Sequence, residues 1–461
     1  MVFTSIPFLA FLGALALLYR VVPRNWRCLL LVAASYYFYW LIGHWFILLL
    51  LGATLVTYFA GKSKSFLLVT VGLLISMLVF FKALPLFKTG WLFPLGVSYY
   101  SFKLAGYLID TYWGEMEPEK RLLPFLAYSS FFPQIVAGPI QRPESFLPQV
   151  ERAEGVSFYT AVTGVIRILL GFFKKFVIAD NLGQIVSFVY AHLSAHPGAP
   201  LALAFYGYPL QMYADFSGLT DIAIGAAVLL GIESPENFNA PFAAVSIREY
   251  WRRWHITLTQ WITDYVFTPL RMSLRSLGQP GMILSLFVNM ILIGLWHGFR
   301  LHFAVFGAVH AMYLTIEALT QRSRNRWYKR SPLANRITDW MGPVVTFHLV
   351  AIGGVFFFAD RMATVGRLFS HLFDGWSALS PEFHLIIDQP GHSLLFLAAA
   401  YALMECLDFA RRRFWGKDVI LTMPRWGRWS VYTCTGLAFA FTILLMLISS
   451  QKSNPFLYAI F

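Results

Sequence analysis

Long apolar runs separated by short polar breaks dominate the chain. A spanning helix needs about 20 mostly apolar residues. Segments approaching that length lie near 4–20, 28–42, 44–60, 66–84, 91–109, 122–140, 160–188, 200–214, 217–232, 282–297, 301–319, 343–358, 393–409 and 430–449. The pattern predicts an all-α, polytopic integral membrane protein. Two segments are broken by Pro and Gly among polar residues: Pro94 and Gly96 in one, Pro133, Gly138 and Pro139 in the other. Irregular backbone survives at membrane depth only where protein or a wet cavity covers it. Both are therefore expected as half-length pieces walling a cavity, or as Pro-kinked spans. The opening MVFTSIPFLAFLGALALLYR lacks a basic leader and a small-residue cleavage site, which predicts a retained membrane helix rather than a signal peptide.

The breaks between segments carry the charge. Residues 320–336, TQRSRNRWYKRSPLANR, and the stretch 410–429 are strongly basic. Basic loops stay on the cytoplasmic side, so both are expected there as extramembrane loops. The segment 375–392 is less basic and is expected to face outward. No internal repeat or low-complexity linker divides the chain, which predicts one domain over 1–461 with a short C-terminal tail, 451–461.

Composition strengthens this picture. Of 461 residues, 58% are hydrophobic and only 13% are charged, against about 25% charged in soluble domains. So few charges cannot build a water-facing surface, and lipid must cover much of the protein. Fifteen Trp and 22 Tyr suit chains whose amphipathic rings sit at membrane interfaces. The net charge of +13 fits juxtamembrane Lys and Arg facing anionic lipid headgroups. No soluble basic domain is present that would take nucleic acid. Cys28, Cys406 and Cys434 lie in or beside apolar stretches without a CxxC pair, and read as small hydrophobes rather than a disulfide or metal site.

Charged and histidine side chains inside apolar stretches are costly and mark function by default. Asp215 and Asp221 stand in one apolar run. They are read as structural groups, pairing with Arg248, Arg252 and Arg253 or capping broken helices, ahead of a general acid/base pair. Residues 247–267 mix Trp251, Trp254 and Trp261 with Arg248, Arg252, Arg253, His255 and Asp264, as an interfacial helix would. His255 is then either a packing histidine or a group at the mouth of a buried site. His297 closes an apolar run interrupted only by Asn289. A neutral imidazole there can take a proton from a hydroxyl near neutral pH, or can serve helix packing. Gly294 and Gly298 flank it and would admit close approach of backbone or substrate. His302, His310 and His348 read as polar packing groups. No G-x-S-x-G elbow, P-loop, H-E-x-x-H or zinc-ligand cluster competes, and no tightly bound cofactor is implied.

The stretches PLGVSYYSFKLAGYLIDTYWG (94–114), FFPQIVAGPIQRPESFLPQ (131–149), GFFKKFVIADNL (171–182), QMYADFSGLTDIAIGAAVLLGIESPENFNAPF (211–242), WRRWHITLTQWITDYVFTPL (251–270) and GLWHG (294–298) occur in fixed order. Together they resemble the membrane-bound O-acyltransferase (MBOAT) family, in its bacterial branch of alginate O-acetylation and teichoic-acid D-alanylation membrane proteins. Two departures stand out: RMSLRSLGQPG follows TPL where a Gly-Gly-Asn-Arg turn is usual, and Phe299-Arg300 follows WHG where a small residue is common. The resemblance implies a helical ring around a central cavity or tunnel, with His297 at the family's catalytic histidine and His255 in the companion motif. It implies acyl transfer, acetyl above all, from a cytoplasmic donor such as acetyl-CoA or an acyl carrier protein. The acceptor would be an extracytoplasmic polysaccharide or cell-wall polymer, served by an SGNH-type acyltransferase partner outside the bacterial inner membrane.

The tail ends FLYAIF, which resembles the F-L-Y-x-x-F motif of these acylation systems. The resemblance implies that Tyr458 accepts the acyl group and relays it. The plain reading of the same residues is an interfacial anchor. Two other functions stay open at this point. A transporter or flippase would also bury Asp and His, although the inverted repeats common in transporters are not visible. An inactive scaffold for a separate periplasmic acyltransferase would tolerate loss of His297.

Overall fold

A chain in lipid must satisfy its backbone N–H and C=O groups internally, and the apolar segments do so as helices. The computed structural model describes residues 3–84, 94–359, 361–374, 381–389, 391–414 and 422–449. The helices run in order α1 (Ile6–Val21), α2 (Arg24–Gly43), α3 (Phe46–Ala60), α4 (Lys64–Ala83), α5 (Val97–Trp113), α6 (Leu122–Ser130), α7 (Phe132–Ile135), α8 (Pro143–Arg152), α9 (Phe158–Phe173) and α10 (Asp180–Ala191). There follow α11 (Ala199–Leu229), α12 (Ile247–Arg253), α13 (Ile256–Ile262), α14 (Thr268–Ser273), α15 (Gln279–His297), α16 (Leu301–Arg330) and α17 (Pro332–Phe358). The series closes with α18 (Met362–His371), α19 (Pro381–Ile387), α20 (Leu394–Phe414) and α21 (Arg425–Ser449). No strand occurs among the described residues. The protein is an all-α, polytopic membrane protein.

Among the described residues, five helical stretches are long and apolar enough to cross a bilayer: Lys64–Ala83, Ala199–Leu229, Gln279–His297, Leu301–Arg330 and Asn335–Phe358. Their environments differ. Only 28% of the apolar window of α4 is buried within the protein, against 89% for α11. Helix α4 therefore offers its side chains to lipid, while α11 is an interior helix whose polar residues are shielded.

The chain packs as two units. The first holds the described residues of 1–175, 216–236 and 410–460. Within it the motifs at 94–96 and 131–142 meet. Gly96 has φ +76°, and a Cβ there would lie 2.2 Å from the Ile135 carbonyl oxygen, so only glycine allows the approach. Pro94 and Gly96 accordingly precede α5 rather than kink it, whereas 122–140 breaks into α6, α7 and irregular chain. The freed polar groups are tied up internally. Lys103 Nζ donates to Gln134 Oε1 at 3.0 Å, and Gln134 Nε2 donates to Gln141 Oε1 at 2.6 Å and to Ser234 Oγ at 2.8 Å.

Helix α9 crosses the 216–229 part of α11 at paired glycines. A Cβ on Gly171 would lie 2.5 Å from the Gly218 carbonyl oxygen, and one on Gly225 would lie 2.6 Å from that of Gly164. This contact brings Asp221 beside Lys174, whose Nζ donates to Oδ2 at 2.7 Å, and Arg167, whose Nε donates to Oδ1 at 3.0 Å. Arg167 also holds Glu236 through Nη1 at 2.7 Å, and Arg411 Nη1 donates to the same carboxylate at 3.0 Å. Burial works to raise the Glu236 carboxyl, but the hydrogen-bonded Arg167 guanidinium and Arg411 hold it below its ordinary range. Asp221 is thus structural, but its partners are Arg167 and Lys174, not the expected Arg248, Arg252 or Arg253. Immediately after α9 the chain winds as a π-helix over Lys174–Ala179, so 160–188 is not one uniform helix.

The second unit holds the described residues of 176–215 and 237–409. Here the basic segment 320–336 is not a loop. Helix α16 runs on through Arg330, and α17 begins at Pro332. Arg and Lys are good helix formers, so the charge marks where the helices leave the apolar layer, not where they stop. The expected break between 200–214 and 217–232 is likewise absent, because α11 is continuous through both. Helices α15 and α16 form the tightest pair in this unit. A Cβ on Gly294 would lie 2.1 Å from the Phe303 carbonyl oxygen, and one on Gly307 would lie 2.3 Å from that of Met290.

Candidate active site

The WRRWHIT motif folds as two short helices with a sharp bend between them. Ser246 caps α12 by accepting from Glu249 N at 3.3 Å, and Glu249 reaches back to accept from Val245 N at 2.9 Å. This reciprocal arrangement starts the helix at the sequence position where it is needed. Helix α12 ends at Arg253, and Trp254 is extended. His255 then takes a left-handed conformation, φ 42° and ψ 53°, before α13 begins. A non-glycine residue in that region costs about 1–2 kcal/mol, so neighbouring contacts must hold it.

Those contacts come from residues 237–240. The Asn237 carbonyl oxygen accepts from Ile256 N at 2.9 Å, and Asn239 N donates to the Arg253 carbonyl oxygen at 3.0 Å. The Asn237 side chain adds three more. Its Oδ1 accepts from Thr257 N at 3.2 Å and Thr257 Oγ1 at 2.7 Å, and lies 3.3 Å from His255 Nδ1. His255 is buried, with 1% of its surface exposed. It lies outside the candidate spans, and burial pushes its pKa down to about 3, so the imidazole is neutral.

His297 is the last residue of α15 and is buried at the point where the chain turns into α16. Its ring meets Phe357 edge-on with centroids 4.7 Å apart and lies 6.1 Å from Phe303. Trp296 lies 4.7 Å from the His297 ring and 5.8 Å from the His255 ring. The structure therefore brings both histidines into edge contact with one indole. A largely apolar, aromatic surround keeps water from an imidazole base, and a neutral imidazole can accept a hydroxyl proton.

Of the two expected approaches to the flanking glycines, backbone or substrate, the structure shows packing by α16. Gly294 faces the backbone of α16, and a Cβ at Gly298 would lie 3.0 Å from the Phe303 ring. Both therefore seat α16 against the end of α15 and fix His297, rather than leaving room for substrate. Gly294→Val should push the pair apart at about 1–3 kcal/mol or more, the usual cost of overpacking. The expected result is a lower melting midpoint in detergent together with reduced activity. An unchanged midpoint would show that the close contact carries no load.

His302, His310 and His348 are held by packing partners. Trp251 Nε1 donates to His310 Nδ1 at 3.3 Å. His302 Nδ1 donates to the Phe356 carbonyl oxygen at 3.0 Å, and His348 Nδ1 to that of Val344 at 2.7 Å. Asp215 is buried, and Tyr458 lies outside the described residues. Asn237 and Trp296 were not singled out from sequence. Trp296 adjoins His297 in the WHG motif, whereas Asn237 sits in an irregular stretch with no periodicity to reveal it. Among the described residues, no group of three His, Cys, Asp or Glu side chains is placed to hold a metal ion.

The model of the membrane-bound O-acyltransferase family matches residues 120–353, a span that contains both His255 and His297. The chain belongs to that family. As a membrane-bound O-acyltransferase it transfers an acyl group to a hydroxyl. The chain is 33% identical to a protein named "probable alginate O-acetylase AlgI" from Pseudomonas aeruginosa, with 92% of this chain and 84% of that protein aligned. It is 28% identical to a peptidoglycan O-acetyltransferase of Helicobacter pylori over 74% of this chain and 72% of the relative. It is 31% identical to a teichoic acid D-alanyltransferase of Bacillus subtilis over 56% of this chain and 67% of the relative.

Proposed function

We propose that this O-acyltransferase moves an acetyl group from a cytoplasmic thioester donor across the bacterial inner membrane, for O-acylation of an extracytoplasmic polysaccharide or cell-wall polymer. The observation that supports the reading is the pair of buried histidines that both contact Trp296. His297 is the general base. It takes the proton of the acceptor hydroxyl as that oxygen attacks the thioester carbonyl. The carbon–sulfur bond then breaks, and the leaving thiolate recovers the proton from the imidazolium. His255 orients a reactant beside it. The donor is acetyl-CoA or an acetylated acyl carrier protein, used as a co-substrate with no tightly bound cofactor. The basic ends of α16 and α17 face the cytoplasm, in keeping with the distribution of Lys and Arg in membrane proteins. One domain carries the reaction, and an SGNH-type acyltransferase outside the membrane passes the group to the polymer.

Proteoliposomes supplied with each labelled donor test this reading. Ester formation from at least one is expected, and none from either would overturn it. The tail supplies a second test. A phenol becomes a covalent nucleophile when a base removes its proton, and Tyr458 is the proposed relay. Tyr458→Phe keeps the ring and its membrane anchoring but removes the hydroxyl. Polymer acylation should be lost in cells carrying it. Full acylation would make Tyr458 an anchor only.

A further inference from the structure

Asn237 has no counterpart in the proposed chemistry, yet its side chain makes the contact that decides what His255 can do. The atom of Asn237 nearest His255 is an oxygen, and the geometry fixes that assignment. The same atom lies 3.2 Å from the backbone nitrogen of Thr257, and a backbone N–H only donates. An amide nitrogen in that place would set donor against donor. The Thr257 hydroxyl at 2.7 Å completes the arrangement. His255 Nδ1, 3.3 Å from that acceptor, must therefore carry the proton. In a neutral imidazole one nitrogen donates and the other accepts. The Nδ1–H form leaves the lone pair on Nε2.

We propose that Asn237 is a positioning residue that locks His255 as the Nδ1–H tautomer, so that Nε2 is the nitrogen offered to a reactant's hydroxyl as hydrogen-bond acceptor. Contacts of the same residue hold the left-handed backbone at His255, so Asn237 acts on both the bend and the ring. The importance for turnover rests on the reading of His255 as part of the active site; the tautomer itself does not.

The test uses the full-length protein in liposomes with 15N-labelled histidine. The His255 signals are identified by their loss in His255→Gln. The native protein should show Nδ1 protonated and Nε2 unprotonated. Asn237→Leu should shift His255 toward the Nε2–H form and lower kcat by about tenfold or more, with KM little changed. Asn237→Asp keeps the acceptor oxygens, so it should retain the native tautomer and rescue most of kcat. A native spectrum with Nε2 protonated would overturn the proposal. So would Asn237→Leu with an unaltered spectrum and kcat. If Asn237→Leu does not accumulate, the native and Asn237→Asp spectra decide the matter alone. If the spectra are as expected but His255→Gln turns over normally, the tautomer lock stands and the catalytic reading of His255 falls.

Discussion

Replacing His297 with alanine is expected to lower the rate of ester formation by about 10²–10⁴-fold, the usual loss on removing a general base. The protein should still reach the membrane in normal amount. The side chain ends α15 and packs against Phe357 and Trp296, so its removal leaves a small gap and no buried charge. The helix pair that holds it is fixed by Gly294 and Gly307 against opposing backbone, and these contacts survive the substitution. Membranes carrying the native protein and His297→Ala at matched levels, assayed for transfer from a labelled thioester, give the comparison. Near-native transfer by the variant would remove His297 from the chemistry and favour a scaffold.

Asp221→Ala should act through folding instead. The carboxylate lies between Lys174 at 2.7 Å and Arg167 at 3.0 Å, and it is 3% exposed. Breaking a buried ion pair by removing one partner costs about 3–5 kcal/mol, because the remaining charge stays desolvated. That is a large fraction of the stability of an ordinary domain. Little protein should accumulate, and what does should melt far below the native protein in detergent. Native accumulation and melting would show that the ion pairs of Asp221 add nothing to stability.

The membrane architecture was legible because lipid leaves a spanning chain so few choices, and apolar runs such as 64–83 and 279–297 emerge as helices close to where hydropathy places them. Two of the departures share one cause: charge within a segment need not break a helix. Asp215 and Asp221 suggested an interruption, yet α11 runs straight through, with Asp221 neutralised by cations from the preceding segment. The basic stretch 320–336 suggested a loop, yet its residues favour helix. His255 and His297 were visible as costly side chains in recognisable motifs. Their shared contact with Trp296 was not, since it depends on how α12, α13 and α15 pack. Asn237 was hidden for a different reason: it works through side-chain contacts to a bend, which leave no periodic trace. The glycines around His297 were correctly seen as sites of close approach, but the approaching group is the α16 backbone and the Phe303 ring.

The most direct test of the central claim is the base-labile ester content of the extracellular polymer in a strain lacking this gene, complemented by the native protein or by His297→Gln. The deletion should strip the polymer of its acyl esters, the native protein should restore them, and His297→Gln should not, although present at native level in the membrane. Unchanged ester content in the deletion strain, or full restoration by His297→Gln, would contradict the account.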